Sequence, residues 1–489
     1  MRIATLTREW VMLFSFWLPQ GYIHQIHLLS GFGVASILLG YMIYNYVFSK
    51  NTKSASITKD IFYLIAMVCI ASGFLLYFGY SDVSLLKDIH YYSVVSLLLL
   101  VVFHIFEKFV LVGFSSLKEI FSLKKAFSKK DGFVFLFFIS AFWALYTYIP
   151  SDSSQKLVVE KIKDDIYIDI NGNADEDIWG SAKKITLHTY GGANFNNGAT
   201  DITIKSLHNT KEIYFYISWD DSTKSTRHLP LIKTQAGWKL MQNGFYRFDE
   251  KMFYEDKLAV LFSKNGYIGG SKTVHLGAKP LKDKPSSWHS KGYHYTEGGD
   301  MADLWQWKAT RSNYMYVADD CYIGSADIRR VGGRRYTAGY HCDPKYSGGF
   351  TMNYRWYKRD IVVPKRVPKN IELLKQYQKT PTNDDDVEWI IPWYDYKPYQ
   401  YAKDNYPLGT IMPSVIYKSN REEGDRADIR AYGVYKDGRW HLEMVRFLKT
   451  DSKYDLEIKN GIYMWVSAFD HSQIAHTRHS RAIYLDLKE

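Results

Sequence analysis

Histidines in apolar surroundings are the residues of this sequence best placed to do chemistry. His24, His27, His90 and His104 are the only four in the first 150 residues, and each lies in or at the edge of a long apolar run. An imidazole in a bilayer is costly unless something takes its nitrogen, so such residues point to a functional site, with haem iron as the first candidate. His90 and His104 stand fourteen residues apart. That spacing returns to one helix face, about four turns and ~21 Å along the axis, and suits two stacked haems. The plain alternative is a hydrogen bond between helices. His27 opens one apolar run and His90 another, and Ser30 and Gly31 leave a small face beside His27. The expectation is a haem b clamped by His27 and His90, with His24 as a substitute ligand.

The elements that would position these groups are four apolar runs, at 25–48, 61–80, 90–113 and 133–149. Each is close to the ~20 residues a helix needs to cross a bilayer. The shorter stretch Trp10 to Leu18 ends at Pro19-Gln20-Gly21 with no small-residue cleavage site after it, so it reads as an interfacial segment. Lys50, Lys53 and Lys59 follow the first run, and Lys118, Lys124, Lys125, Lys129 and Lys130 follow the third. Such basic turns belong on the cytoplasmic side, which sends residue 150 onward out of the cytoplasm. The net charge of +11 is therefore read as attraction to anionic membrane lipids, not to nucleic acid. A bacterial inner membrane with a periplasmic C-terminal half is the expected location.

A partner for His104 would fall near residue 41, where Tyr41 stands, which leaves a second membrane haem open. The run Asp88-Ile89-His90-Tyr91-Tyr92 through His104 resembles the small four-helix bacterial cytochromes b that exchange electrons with quinones. The resemblance implies quinone or quinol as a substrate, with His104 on a second haem, structural, or near a quinone pocket.

From residue 157 the pattern becomes period-two alternation with turn signals, in Asp165 to Asn171, Glu212 to Trp219, Trp440 to Phe447, Gly461 to Phe469 and Ala482 to Leu487. These predict strands of an antiparallel sandwich. A Tyr-, Pro- and charge-rich stretch at about 340–435 reads as a long elaboration, and its Asp384-Asp385-Asp386 run as a solvated turn in preference to a calcium site. The predicted fold class is a four-helix transmembrane bundle plus an all-β antiparallel sandwich, divided as 1–22, 23–150 and 151–489. Three cysteines in no CxxCH pattern exclude ordinary c-type haem attachment and a zinc cluster. Cys69 reads as packing, while Cys321 and Cys342 could pair in an oxidising compartment.

Several strings occur in a telling order: Asp169-Ile170-Asn171-Gly172 with Asp175 through Trp179, Trp219-Asp220-Asp221, Tyr254-Glu255-Asp256-Lys257, Asp303 through Lys308, Arg446 through Asp451, and Asp470. Over roughly 160–315 and 430–489 the chain resembles the haem-binding domain of the ethylbenzene dehydrogenase gamma-subunit type. The resemblance implies a sandwich that binds one haem and transfers electrons without catalysing substrate chemistry. Some relatives carry a CxxxCH attachment string where this chain has Gly270 through His275, which implies a non-covalent haem b with His275 as axial ligand. Relatives also place a ligand before the final strand, implying His479, then His476, with His471 just upstream. Met301 is a further candidate, because the family type uses a methionine. Trp305 and Trp307 could flank the macrocycle or simply pack the core.

No P-loop, HExxH, nicotinamide fingerprint or nucleophile with a matched base is present. The expected function is a membrane electron-transfer cytochrome that links the quinone pool to a periplasmic cytochrome or oxidoreductase. A tethered ligand-binding or sensor sandwich without haem, and a terminal reductase, are the alternatives.

Overall fold

The computed structural model describes residues 30–38, 40, 57–78, 83–113, 140, 155–247, 249–264, 266, 273–275, 294–296, 299–327, 337–379, 387–479 and 482–489. The chain divides into two compact units, one within the first 154 residues and one from Gln155 to Glu489.

Helices α1 (Ile57–Phe78) and α2 (Val83–Val112) make up most of the described part of the first unit, with the helical residues 30–38, 40 and 140. In α2 the stretch Asp88–Leu111 is long and apolar enough to cross a bilayer; in α1 the apolar stretch is only Ile61–Leu76. Alpha1 opens on Thr58-Lys59-Asp60, which uses up the turn it would need to reach ~20 apolar residues. This overturns the four-helix bundle and with it the multi-pass reading. Among the described residues one helix, not four, has the length and composition of a span, and the molecule is mainly β. The expected spans at 25–48 and 133–149 lie largely outside the described residues, as do His24, His27 and Tyr41.

Fourteen strands carry the argument for the second unit: β1 (Gln155–Lys161), β2 (Ile185–Tyr190), β3 (Ala199–His208), β4 (Glu212–Asp220), β5 (Lys257–Ser263), β6 (Thr273–His275), β7 (His294–Thr296), β8 (Ala302–Lys308), β9 (Val317–Ile323), β10 (Tyr340–Cys342), β11 (Ile429–Lys436), β12 (Arg439–Phe447), β13 (Tyr463–Phe469) and β14 (Ile483–Leu487). Ten of them close a ring in the order β1-β14-β13-β5-β8-β9-β11-β12-β4-β3, which returns to β1. Beta2 adds to β3 and β10 to β9. The expected open sandwich is therefore a closed barrel. Its corners are short: Val317 and Ala318 alone pair with β11, and β1 pairs with β14 over its first five residues and with β3 over its last two. Alternation marks an inward and an outward face in a sandwich and a barrel alike. Closure depends on β1 being shared between two neighbours, a long-range fact that the periodicity does not carry.

The interior is filled by side chains. Leu157, Ile202, Ile204, Phe215, Ile217, Val260, Phe262, Leu442 and Met464 are fully buried around a cluster of indoles. Trp219, Trp307 and Trp440 lie with ring centroids 4.9–6.3 Å apart, and Trp305 packs on Phe262 at 4.7 Å. Trp305 and Trp307 are thus core. Gly433 on β11 is the glycine this packing requires, since a Cβ there would meet Trp307 at 2.5 Å.

Four of the five expected strands are present as β4, β12, β13 and β14. Asp165 to Asn171 is not a strand but a turn segment. The elaboration is also more ordered than expected. Tyr354–Lys358, Ile361–Pro364 and Ile411–Met412 join Leu231–Thr234 and Gly237–Leu240 in a five-stranded sheet with its own core of Leu231, Trp238, Val362 and Met412. The Asp384-Asp385-Asp386 run lies outside the described residues.

Candidate functional site

The barrel presents two rims, fixed by strand register. One holds the start of β8 and the ends of β5 and β9, since Ala302 faces Ile323 and Asp303 faces Phe262. At the other, Lys308 faces Lys257, which in turn faces Phe469.

At the second rim the recurring strings meet. Asp221, Asp256 and Asp470 are buried together. Asp256 accepts from the Ser225 N–H at 2.7 Å, Trp440 Nε1 at 3.0 Å and the His471 N–H at 2.8 Å. Burial and the neighbouring Asp470 push the Asp221 carboxyl up to about 8, and burial with Asp221 and Asp470 holds Asp256 above the carboxylate range. Asp221 therefore keeps its proton at neutral pH. Beside it, Glu255 accepts from the Thr310 and Arg311 N–H groups at 2.7 and 2.8 Å and pairs with the Arg311 guanidinium. Burial alone would raise Glu255, but Arg311 outweighs it and holds the carboxyl below its usual range. His228 lies against Glu255 at 3.1 Å, and burial pushes its imidazole down to about 4, so it is neutral. These strings bury and pair charge; they build scaffold.

The first rim is where an iron ligand pair can assemble. Beta6 pairs with β7, putting His275 opposite His294. Beta7 is anchored there by the Thr296 N–H to Gly324 O at 2.8 Å and the Gly339 N–H to His294 O at 3.0 Å. Thr296 Oγ1 donates to Asp300 O. Met301, half-buried against the barrel core, follows immediately. His275 and Met301 thus belong to one rim. His294, exposed on β7, was missed; the period-two string His294-Tyr295-Thr296 was its only sequence signal.

His479 is placed differently. Its segment runs back along β13, where the Val466 N–H donates to His479 Nε2 at 3.0 Å and the ring stacks on Trp465 at 5.1 Å. That nitrogen's lone pair serves the backbone. Strands β13, β5, β8 and β9 separate His479 from the β7 hairpin. The structure does not bring the His275 strand and His479 together. His476 is exposed and donates through Nδ1 to Thr477 O at 2.7 Å, and His471 pairs with Asp470 at the opposite rim from Met301. In the first unit, His90 sits against Gly73, donating through Nδ1 to Cys69 O at 3.1 Å with Ser72 Oγ at 3.2 Å. That is the helix-to-helix hydrogen bond. His104 is exposed, 3.7 Å from Glu107 on its own helix.

A family model described as ethylbenzene dehydrogenase matches residues 176–481, more than half of the chain. The chain belongs to the ethylbenzene dehydrogenase family. The match spans the barrel from just before β2 to the start of the last strand, and stops short of both helices. The ethylbenzene dehydrogenase domain defines a haem-binding redox subunit family. Nothing supports a four-helix cytochrome b in the same chain. Among curated proteins no sequence matches. Of solved structures, a carbohydrate-binding module of family 9 from Caldicellulosiruptor kristjanssonii in complex with cellotriose aligns at 7% identity, 68% of this chain, 95% of that chain and a TM-score of 0.24. The same type of module in complex with glucose aligns at 6% identity, 68%, 97% and 0.25. Scores that low carry no argument.

Of the residue types at the first rim, histidine and methionine are ones that haem iron accepts, in a family that binds haem. Haem iron accepts an imidazole and a thioether as an axial pair. The indole-packed barrel interior leaves the rim, not the lumen, as the place for a macrocycle.

Proposed function

We propose that the β unit is a one-electron relay that holds a single non-covalent b-type haem at the first rim, with His275 and Met301 as axial ligands, in service of a partner oxidoreductase. The observation that carries this is the shared rim of the His275 strand and Met301 in a chain of this family. When bound, the haem supplies reversible ferric–ferrous chemistry. The chain's own residues supply position and environment. Beta7 is fixed to the barrel by its backbone bonds to Gly324 and Gly339, and it braces the strand that carries His275. The half-buried setting of Met301 shields a thioether from water, which favours the ferrous state. In this reading substrate chemistry falls to the partner, and the β unit only passes electrons. The Cys321–Cys342 disulfide suits an oxidising compartment, and α2 supplies an apolar helix fit to be an anchor.

The test is optical. The full chain reconstituted with haem b is expected to show sharp reduced bands. His275→Ala and Met301→Leu should each lose the low-spin spectrum while His479→Gln keeps it. A low-spin spectrum retained in the His275→Ala, Met301→Leu double variant refutes the assignment.

A further inference from the structure

A second feature of the β unit is independent of haem. Asp303 on β8, Asp320 on β9, Asp428 before β11 and Asp455 between β12 and β13 surround the buried guanidinium of Arg446, and Asp343 just after β10 lies beside Asp455. Arg446 Nη1 reaches Asp303 at 2.8 Å, Asp320 at 3.2 Å and Asp455 at 3.3 Å. Carboxyl groups crowded this closely around one guanidinium in a desolvated place disfavour full ionisation unless a further cation joins them.

The polar atoms say what is missing. Among the described residues, Oδ1 of each of the five aspartates is buried and accepts no hydrogen bond. Asp320 is 1% exposed and Asp343 3%, so water does not satisfy them from outside. One oxygen each of Asp320, Asp343 and Asp455 lies within 4.8 Å of the others. Two oxygens bound to one calcium ion at about 2.4 Å stand at most about 4.8 Å apart. The remaining oxygens of two of these groups are held in place. Ser452 Oγ donates to Asp343 at 3.1 Å and Thr450 Oγ1 to Asp455 at 2.6 Å.

We propose that Asp320, Asp343 and Asp455, with Asp428 beside them, form a structural site for a calcium ion. The donors are hard oxygens with neither imidazole nor thiolate, which disfavours zinc and copper. Carboxylates from several separate segments, without the regular octahedron magnesium demands, favour calcium. The disulfide belongs to the same device. Cys321 follows Asp320, Cys342 precedes Asp343, and the Asp343 N–H donates to Asp320 O at 3.0 Å. The bridge therefore fixes two ligands relative to one another before the ion arrives.

The experiment uses the full-length chain stripped with a chelator. On titration with calcium chloride the wild type is expected to bind one more equivalent than Asp343→Asn, and to rise in melting temperature where the variant does not. Terbium in place of calcium should show luminescence sensitised by Trp305 and the stacked Tyr322–Tyr454 pair, lost at least tenfold in the variant. Asp343→Asn removes a crowded charge, so its calcium-free melting temperature should equal or exceed that of the calcium-free wild type. Asp428→Asn is the second variant and should weaken calcium in the same direction. Reduction of the disulfide should also weaken binding. Equal calcium binding by wild type and both variants, or a melting temperature indifferent to calcium in all three, overturns the site. The reduced haem spectrum should be unchanged throughout, which separates this result from the relay.

Discussion

Glu443 is the most direct probe of how the barrel receives the segment that precedes it. Its side chain is fully buried on β12, and Oε2 accepts the N–H groups of Asn171 and Gly172 at 3.1 and 2.7 Å. Oε1 has no hydrogen-bond partner among the described residues. Burial is the main cause that pushes the carboxyl up to about 7 from 4.5. A folded-state value above the unfolded one means that the native protein holds the proton more tightly. Stability from this residue is complete below about pH 4.5 and is lost as pH rises through 7. The rise corresponds to at most about 3.5 kcal/mol, at ~1.4 kcal/mol per unit. Glu443→Gln keeps an acceptor for both N–H groups and cannot ionise. It should leave the melting temperature nearly unchanged at pH 5 and raise it at pH 8, by about 1–3 kcal/mol when converted. Differential scanning fluorimetry across pH 5–8 measures this. A variant less stable than wild type at pH 8, or an offset equal at both ends, would show that Glu443 is not a buried charge and refute the argument.

Gly433→Ala puts a methyl into the Trp307 ring and should cost about 1–3 kcal/mol by overpacking; chemical denaturation with tryptophan fluorescence reads it, and a neutral effect would mean that the indole cluster is loose. Asn353 is fully buried and bonds Arg366 O at 3.1 Å, Pro413 O at 3.2 Å and the Arg366 N–H at 2.8 Å. Asn353→Ala should cost about 2–4 kcal/mol through unmet backbone groups, with proteolysis inside the elaboration rising before the barrel melts.

Much of the β unit could be read before any coordinates. Strands β4, β12, β13 and β14 were legible because alternate residues, such as Ile213, Phe215, Ile217 and Trp219 on β4 and Trp440, Leu442 and Met444 on β12, are the apolar ones that meet in the indole core, even though much of the opposite face is buried as well. Asp165 to Asn171 alternates too, yet its Asn171 N–H and the following Gly172 N–H go to Glu443 and its Asp169 N–H to Glu176, so local pattern lost to a side-chain dock that lies 271 residues away for Gly172. The membrane half misled for the opposite reason. Counting apolar residues treats each run alike, and the charge and small polar residues of α1 shorten its usable stretch. Of the proposed ligand residues, His275 and Met301 were reached through resemblance, and the rim shared by the His275 strand and Met301 emerges only from register. The Asp320–Asp343–Asp455 group was not legible, because its members are scattered along the chain. The adjacency of Asp320 to Cys321 and of Cys342 to Asp343 was the one local trace.

The shared strand β1 has a consequence for biosynthesis. Its Gln155 N–H bonds Ala482 O, and the Lys488 N–H bonds Val159 O, so the earliest strand made is completed by the last. A nascent chain must hold β1 open until β14 has been made, and pairing over such a separation is slow. Newly made protein should therefore be most vulnerable to chaperone capture and degradation while β14 is still unmade, and loss of Ile483–Leu487 should unfasten the whole ring.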